Sequence, residues 1–248
     1  MTTLRAELVS RGDLRHFDRD AMHALLDRCF EGATRDQFEA DLAGKDFSIV
    51  MRDETGIVRG FTTLALERVE VAGVPLRVCY SGDTIVERAY WGSPALASTW
   101  IASVNAIANG MGGGELVWLL ICSGPRTYRF LPVFFREFYP RYDRSVPPAI
   151  AERMAYLAER RYGAAYDQTR GLVVLPRPQV LRPELSALPV RRDQHVEHFE
   201  RMNPQYRDGA ELVCYASLED ESLTRAGSRM LAFGRRTLAP NAMAEAAE

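Results

Sequence analysis

Residues 86–94 read Val-Glu-Arg-Ala-Tyr-Trp-Gly-Ser-Pro and join two segments of different character. The preceding residues, 76–87, are rich in the β-branched and aromatic side chains that favour strands. After the stretch, Ser93 and Pro94 suit the N-cap and first position of a helix. Apolar side chains then recur at helical spacing, at Leu96, Trp100, Ile101, Val104, Ile107 and Ala108. The stretch is therefore predicted to be a loop between a strand and an amphipathic helix.

The segments on either side extend this pattern. Residues 115–122 form a near-continuous apolar run, typical of a strand buried on both faces, so the order predicts a βαβ unit with parallel pairing. Upstream, turns at 53–56 and 72–73 separate strands predicted at 47–52, 57–71 and 76–87, which form an antiparallel meander. Two helices precede the meander, one opened by Asp18 as N-cap and the other by Thr34.

The chain after residue 122 is less regular. Tyr128, Leu131 and Phe138 suggest a helix that Pro132 would break or kink. A helix near 150–158, a strand at 172–175, a proline-rich loop at 176–189, a helix at 192–202 and a strand at 211–218 come next along the chain. We divide the chain into a domain at 1–145, a C-terminal α/β extension or lid at 146–238 and a disordered tail at 239–248.

Composition and charge narrow the functional classes. The 31 basic and 33 acidic residues give a net charge of −2, so nucleic acid is not an expected partner. The most apolar run, 116–122, is too short to span a membrane. Four cysteines without regular spacing suggest no disulfide framework, and His195 and His198 share a helical face without a third ligand. We therefore expect a cytoplasmic protein without a metal.

The order of predicted elements resembles that of the GNAT acyltransferase superfamily over roughly residues 4–142. In that family the loop motif reads Val-x-Pro-x-x-Arg-Gly-x-Gly at a helix start. This chain keeps Val86 and Gly92 but has Arg88, Trp91 and Pro94 where the family has proline, arginine and the second glycine. The resemblance implies an α+β fold, with a GNAT-like mixed sheet flanked by helices and followed by the C-terminal extension.

The resemblance further implies that the loop binds the pyrophosphate of coenzyme A. Backbone N–H groups at a helix N-terminus attract an anion, but Pro94 lacks such a donor and Trp91 adds bulk. Arg88 either supplies charge or is an ordinary surface arginine. The implied donor-binding residues are Ile85, Val86, Arg88, Trp91, Gly92, Ser93, Ala95 and Leu96.

The resemblance also implies a gap between the strand near 83–86 and the strand at 116–122, where an acyl-pantetheine arm would lie. An amine that attacks a thioester must lose a proton, and the leaving thiolate must gain one. Glu87 or Asp83 is the candidate base, and the alternative for each is a solvated charge at a strand end. Tyr128 is the candidate acid, and its alternative is a packed aromatic residue with a wet hydroxyl.

The resemblance therefore implies an N-acyltransferase that moves an acyl group by direct attack. Its donor would be acyl-CoA or an acyl carrier protein, and its acceptor a small-molecule or peptide amine. The aromatic side chains of residues 128–142 either form core or line a pocket for a long acyl chain. The altered loop supports a second hypothesis, a catalytically inactive GNAT-like binding or scaffold module. The acceptor, the acyl length and the oligomeric state stay open, and an oligomer is compatible with the sequence.

Overall fold

The structure of the protein, a computed structural model, describes residues 4–238. The tail predicted to be disordered, 239–248, lies outside these residues. Within the described part, the chain forms a nine-stranded sheet and a separate two-stranded ribbon, with helices on both faces of the sheet. The α+β class expected from the sequence is confirmed.

The strands and helices are interspersed along the chain. The strands are β1 (Arg5–Ser10), β2 (Phe30–Glu31), β3 (Phe47–Arg52), β4 (Val58–Val71), β5 (Val74–Val86), β6 (Glu115–Cys122), β7 (Phe138–Tyr139), β8 (Tyr166–Asp167), β9 (Leu172–Val173), β10 (Val180–Leu181) and β11 (Glu211–Ser217). The helices are α1 (His16–Cys29), α2 (Arg35–Ala43), α3 (Ala95–Gly110), α4 (Pro125–Tyr128), α5 (Phe130–Phe134), α6 (Pro148–Tyr162), α7 (Pro183–Ser186), α8 (Gln194–Met202) and α9 (Arg225–Thr237).

The main sheet has the strand order β1-β3-β4-β5-β6-β11-β9-β8, and β7 also pairs with β11. β3, β4 and β5 form the predicted antiparallel meander, and β5 and β6 are the predicted parallel pair joined through α3. The other pairs of this sheet are antiparallel. The predicted βαβ unit is therefore confirmed, and the loop at 87–94 lies at the carboxyl end of β5.

Helices cover both faces of the sheet because successive residues of a strand point to opposite sides. Ile49 and Cys79 pack with α3 and α9 on one face. Their neighbours Val50 and Val78 pack on the opposite face, the first with α1 and α2 and the second with α6. The central strands are therefore apolar on both faces. Burial of each valine or isoleucine side chain there contributes about 1.5–3 kcal/mol to the free energy of folding.

Residues 146–238 contribute strands to the same sheet as the residues before them. β11 pairs with β6 from Leu212 opposite Cys122 to Ser217 opposite Val117. The boundary predicted at residue 145 falls in the segment between β7 and α6. The region predicted as a proline-rich loop contains α7 and also β10, which pairs with β2.

Helix α9 packs directly against α3, and the sequence pattern does not predict it. Gly227 and Gly234 disfavour a helix when it is considered in isolation. Both allow close approach: a Cβ at Gly234 would collide with the carbonyl oxygen of Ser98, and one at Gly227 with that of Phe134. Tertiary packing therefore outweighs helix propensity in this segment.

Two local features differ from the sequence predictions. Asp18 lies inside the first turn of α1, with Arg15 at the N-cap, because its buried carboxylate accepts a hydrogen bond from Arg52 of β3 at 2.8 Å. Pro132 lies in the first turn of α5, where a missing N–H is tolerated, and Phe138 belongs to β7 instead of a helix. None of the helices between residues 4 and 238 combines the length and apolar character needed to cross a bilayer.

Candidate functional site

The two parallel strands of the sheet separate partway along β5. They pair from Leu76 opposite Glu115 to Tyr80 opposite Leu119, and within residues 4–238 this pairing does not continue further. A gap therefore opens between residues 81–86 of β5 and residues 120–122 of β6, and we name it the slot. Backbone groups of β5 that face the slot have no strand partner there, so those without a side-chain partner are available to a ligand. The slot lies where the family resemblance implied a gap.

A bulge in β5 accompanies this separation. The register of β5 against β4 shifts just before Thr63, and Asp83 has a φ of 42°, which few residues other than glycine adopt. Hydroxyl groups of β4 hold the bulge, since Thr63 Oγ1 donates to Gly82 O at 3.1 Å and Thr62 Oγ1 lies 2.7 Å from Thr84 Oγ1. The shape of the slot is thus fixed by contacts within the meander.

Two carboxylates flank the end of β6 beside the slot. Asp83 lies in the bulge of β5, and Glu211 begins β11 on the other side of β6, next to the pair of Leu212 and Cys122. Burial raises the pKa of Asp83. Burial, and then the nearby charge of Asp83, raises the pKa of Glu211 to about 8. Sequence reasoning misses Glu211 because its position depends on the pairing of β11 with β6.

The only lysine of the chain lies close to this pair. Lys45 precedes β3, and its Nζ is 2.9 Å from the point that a Cβ on Gly82 would occupy. Its charge favours the ionised forms of Asp83 and Glu211, whereas Asp41 disfavours them. The site therefore combines two half-buried carboxylates with one cation, and these charges shift the pKa values of Asp83 and Glu211 without a direct hydrogen bond.

Glu87, the other predicted base, lies beyond the end of β5 in a network of ion pairs. Its two carboxylate oxygens accept from Arg28 at 2.9 Å and from Arg59 at 3.1 Å. Both carboxylate oxygens are therefore already engaged by guanidinium groups. Glu87 is not among the charged residues that influence the pKa of Asp83 or Glu211. The structure therefore does not bring Glu87 together with this pair.

The apolar residues predicted to bind the donor belong to two clusters. Ile85 is buried in the cluster beneath α1 and α2. Val86, Ala95 and Leu96 pack in a second, smaller cluster at the start of α3. These contacts fix the end of β5 against the first turn of the helix.

Several backbone N–H groups around the start of α3 donate to the loop itself. Pro94, which has no N–H, occupies the N-cap position of α3 predicted for Ser93. Between residues 91 and 96 of the described chain, only the N–H groups of Gly92 and Leu96 have no protein acceptor. The other bonds are Trp91 N to Arg88 O (3.2 Å), Ser93 N to Tyr90 O (3.1 Å) and Ala95 N to Ser93 Oγ (3.3 Å). The loop thus offers a phosphate fewer donors than the resemblance implies.

Arginines lie around Trp91 at the end of the slot. Trp91 Nε1 donates to Val86 O at 2.8 Å, and the Arg126 guanidinium lies 4.9 Å from the centre of the Trp91 ring. Arg126, on α4, also donates to the carbonyl oxygens of residues 188 and 189, at 2.8 and 3.1 Å. Burial and the nearby charge of Arg88 lower the pKa of Arg126. Trp91 is therefore the point at which the loop at 87–94, helix α4 and the segment before α8 come into contact.

Tyr128, the predicted acid, is fully buried at the end of α4. Its hydroxyl donates to the carbonyl oxygen of Pro140 at 2.6 Å, and its ring packs against Phe138 and Phe199. Burial raises the pKa of Tyr128 well above its usual range. In this arrangement the hydroxyl would have to leave Pro140 to protonate a thiolate in the slot.

The aromatic residues after β6 mostly pack against one another and against β6. The ring of Trp118 lies 4.3 Å from that of Trp100 and 5.9 Å from that of Phe135, measured between centroids. The cavity that Trp100, Phe135 and Leu231 help to line has a volume of about 10 Å³, comparable with the space one water needs. This packing favours the core interpretation of these residues over an open acyl pocket.

His195 and His198, which the sequence offers as a possible metal pair, lie on α8. His195 Nδ1 and His198 Nε2 are buried and have no hydrogen-bond partner among residues 4–238. Across the same range, no three His, Cys, Asp or Glu side chains are grouped as they would be around a metal ion.

No protein-family model matches the chain, and no curated protein does. Several solved structures are similar to it. A conserved protein from Enterococcus faecalis, described as a probable N-acyltransferase, is 14% identical over 55% of this chain, which spans only 33% of that protein, with a TM-score of 0.41. A GNAT family N-acetyltransferase from Escherichia coli in complex with CoA is 19% identical over 55% of this chain and 72% of its own, with a TM-score of 0.38. An N-myristoyltransferase from Saccharomyces cerevisiae with bound myristoyl-CoA is 15% identical over 68% of this chain and 44% of its own, with a TM-score of 0.37.

The topology of the chain itself defines the class of fold. An antiparallel meander, a parallel crossover through α3 and the separation of β5 from β6 together make a GNAT-like fold, as the resemblance implied. It is a divergent example, because the loop departs from the family motif at Arg88, Trp91 and Pro94.

Proposed function

We propose that the protein transfers an acyl group from a thioester to an amine by direct attack, without an acyl-enzyme. The slot between β5 and β6, flanked by Asp83 and Glu211, is the observation that carries this proposal. Unpaired backbone groups in the slot can bind a pantetheine arm, and the carboxylates can receive the proton that the amine loses. Acyl-CoA and an acyl carrier protein both present such an arm.

The donor would lie along residues 81–86 of β5, with its phosphate at the start of α3. There the N–H groups of Gly92 and Leu96 and the positive end of the α3 dipole favour an anion. We add Arg126 to the donor site because it stacks on Trp91. The residues assigned to the donor site from the sequence are Ile85, Val86, Arg88, Trp91, Gly92, Ser93, Ala95 and Leu96.

The reaction joins the amine nitrogen to the thioester carbonyl carbon and breaks the bond from that carbon to sulfur. Backbone N–H groups of β5 that face the slot would stabilise the oxyanion of the tetrahedral intermediate. The nitrogen loses one proton to the pair of Asp83 and Glu211, and the thiolate gains one proton, so the products are an amide and a free thiol. Because burial raises the pKa of Glu211 to about 8, its ionised form is a stronger base than an ordinary glutamate.

The candidate acid and base side chains differ in whether other protein groups already hold them. We place Asp83 and Glu211 ahead of Glu87, because two arginines hold the Glu87 carboxylate. Tyr128 remains the candidate acid, provided that its hydroxyl leaves Pro140 O when the donor binds. The acceptor would be a small-molecule or peptide amine that reaches the carboxylate side of the slot.

The experiment is a thiol-release assay with a panel of primary amines and with acetyl and dodecanoyl thioesters of CoA and of a carrier protein. Calorimetric titration of the same donors runs in parallel. We expect turnover with at least one donor, and loss of turnover with retained donor binding in Asp83→Asn or Glu211→Gln. Glu70→Gln, at an exposed carboxylate of β4, is the matched control. Neither binding nor turnover with any donor would contradict the proposal.

A catalytically inactive binding module is the second candidate. The contact of the Trp91 indole with Val86 O favours it, because a protein group already occupies an acceptor at the end of the slot. Such a module would bind a thioester without releasing thiol. Normal binding isotherms combined with no thiol release from the wild-type protein would favour the module over the enzyme.

A further inference from the structure

Arginine side chains and Trp91 lie at the open end of the slot, and they indicate which kind of acyl donor the protein uses. This inference rests on the proposed function and refines it. We propose that residues Arg88, Trp91, Arg126, Arg129 and Arg191 form a docking surface for an acidic carrier protein that holds the acyl group on a phosphopantetheine arm. We name these five residues the docking surface.

The docking surface surrounds the point where an arm would enter. Arg88 directly follows β5, and Arg126 and Arg129 follow β6, so all three lie at the carboxyl ends of the parallel strands that separate. Ligands of sheets with parallel strands bind outside the carboxyl ends, where neighbouring strands diverge. Arg191 comes from the segment before α8, and its carbonyl oxygen accepts from Arg129 Nη1 at 2.9 Å.

The positive charge of the docking surface is largely uncompensated. Between residues 4 and 238, the guanidinium groups of Arg88 and Arg191 have no carboxylate partner, and Arg126 donates to backbone carbonyls only. Arg129 alone faces an acidic side chain, Asp193, at 3.4 Å. The nearby Glu87 is itself held by two other arginines. A partner of opposite charge would gain both attraction and orientation here.

The loop beside these arginines favours a carrier protein over free CoA. Pro94 has no N–H, and the N–H groups of Trp91, Ser93 and Ala95 donate within the loop, so a pyrophosphate would find these groups already engaged. A carrier protein joins its arm through a single phosphodiester and gains its remaining affinity from contacts between the proteins. Trp91 is 44% exposed among the arginines, and tryptophan and arginine are the residue types that dominate such contacts.

The experiment compares one acyl group on two carriers. A dodecanoyl thioester is prepared on a fluorescently labelled, purified bacterial acyl carrier protein and on CoA. Anisotropy measures the first and calorimetry the second, at about 50 and 300 mM NaCl. The variants are Arg88→Glu and Arg191→Glu. Arg229→Glu, which makes the same charge change on an exposed position of α9, is the matched control. Circular dichroism checks that every variant is folded.

We expect the loaded carrier protein to bind more tightly than dodecanoyl-CoA and to bind more weakly at the higher salt concentration. Its Kd should rise about tenfold in Arg88→Glu and in Arg191→Glu and stay unchanged in Arg229→Glu. Binding of dodecanoyl-CoA but not of the loaded carrier would overturn the docking proposal and leave acyl transfer standing. The same holds if charge reversal leaves the carrier Kd unchanged. If neither donor binds, the proposed function itself fails.

Discussion

The indole Nε1 of Trp91 donates a hydrogen bond of 2.8 Å to the carbonyl oxygen of Val86, the last residue of β5. A side chain of the loop thereby occupies a backbone acceptor at the end of the slot. Arg126 covers the ring and connects it to residues 188 and 189. A donor that uses the Val86 carbonyl must therefore compete with a bond inside the protein.

The first prediction concerns this competition. Trp91→Phe removes the N–H donor and keeps an aromatic ring for Arg126. Because one hydrogen bond contributes about 1 kcal/mol net, the affinity for an acyl-pantetheine should rise about fivefold. Calorimetric titration measures the change, with Tyr90→Phe at the neighbouring position as control. Unchanged affinity would mean that the donor does not use the Val86 carbonyl.

The second prediction concerns the pH dependence of transfer. Burial, together with Asp83, raises the pKa of Glu211 to about 8, so its base form increases as the pH approaches that value. With saturating donor and an acceptor amine that is unprotonated throughout, kcat should rise between about pH 6 and about pH 9. Glu211→Asp should keep the rise, and Glu211→Gln should lower kcat and abolish it. An identical profile in Glu211→Gln would assign the base to another residue.

The third prediction concerns stability at the same residue. The folded protein holds the Glu211 proton more tightly than the unfolded chain, in which glutamate has a pKa of about 4.3. The free energy of unfolding should therefore fall as the pH rises from that value toward about 8. Glu211→Gln lacks this loss, so its advantage over the wild type should grow by about 4 kcal/mol between pH 5 and pH 9. Urea unfolding at both pH values measures the difference, and parallel pH curves would refute the raised pKa.

The fourth prediction tests the packing of α9 on α3. A methyl group at Gly234 meets the backbone carbonyl of Ser98, which cannot move as a flexible side chain can. Gly234→Ala should lower the free energy of unfolding by about 3 kcal/mol. Gly113→Ala, where a Cβ meets no atom within 4 Å, should leave it nearly unchanged in the same urea titration. Equal effects of the two substitutions would argue against the close approach of these helices.

The fifth prediction compares a buried ion pair with an exposed one. Asp18 is 2% exposed and accepts from Arg52, so Asp18→Asn leaves a guanidinium with a poorer partner and should destabilise the protein by about 3 kcal/mol. Asp20, two residues along the same helix, pairs with Arg35 at the surface. Asp20→Asn should have little effect on thermal unfolding. The interpretation fails if both substitutions destabilise the protein equally.

The parts of the fold that depend on local sequence could be predicted. β3 and β6 have the bounds that their apolar runs indicated. Thr34 caps α2 as expected, because its side chain accepts from Gln37 N at 3.3 Å. The apolar spacing after Pro94 likewise predicted α3. Periodicity and capping act over a few residues, and one sequence contains all the information they need.

Features that depend on distant residues could not be predicted in this way. Glu211 reaches the slot only because β11 pairs with β6, and nothing near it in the sequence indicates that partner. Asp18 looks like an N-cap until Arg52 from β3 is known to bind it. Tyr128 has the right place in the sequence for an acid, but the Pro140 carbonyl that holds its hydroxyl is set by tertiary structure.

The pairing of β11 with β6 also affects how the chain can fold during synthesis. β6 is apolar on both faces, and its outer edge has no partner until β11 leaves the ribosome, long after β6 itself. An open apolar edge pairs readily with other chains, and contacts between distant segments form slowly. We therefore expect the nascent chain to pass through an aggregation-prone stage, during which a chaperone that shields the edge of β6 would raise the yield of folded protein.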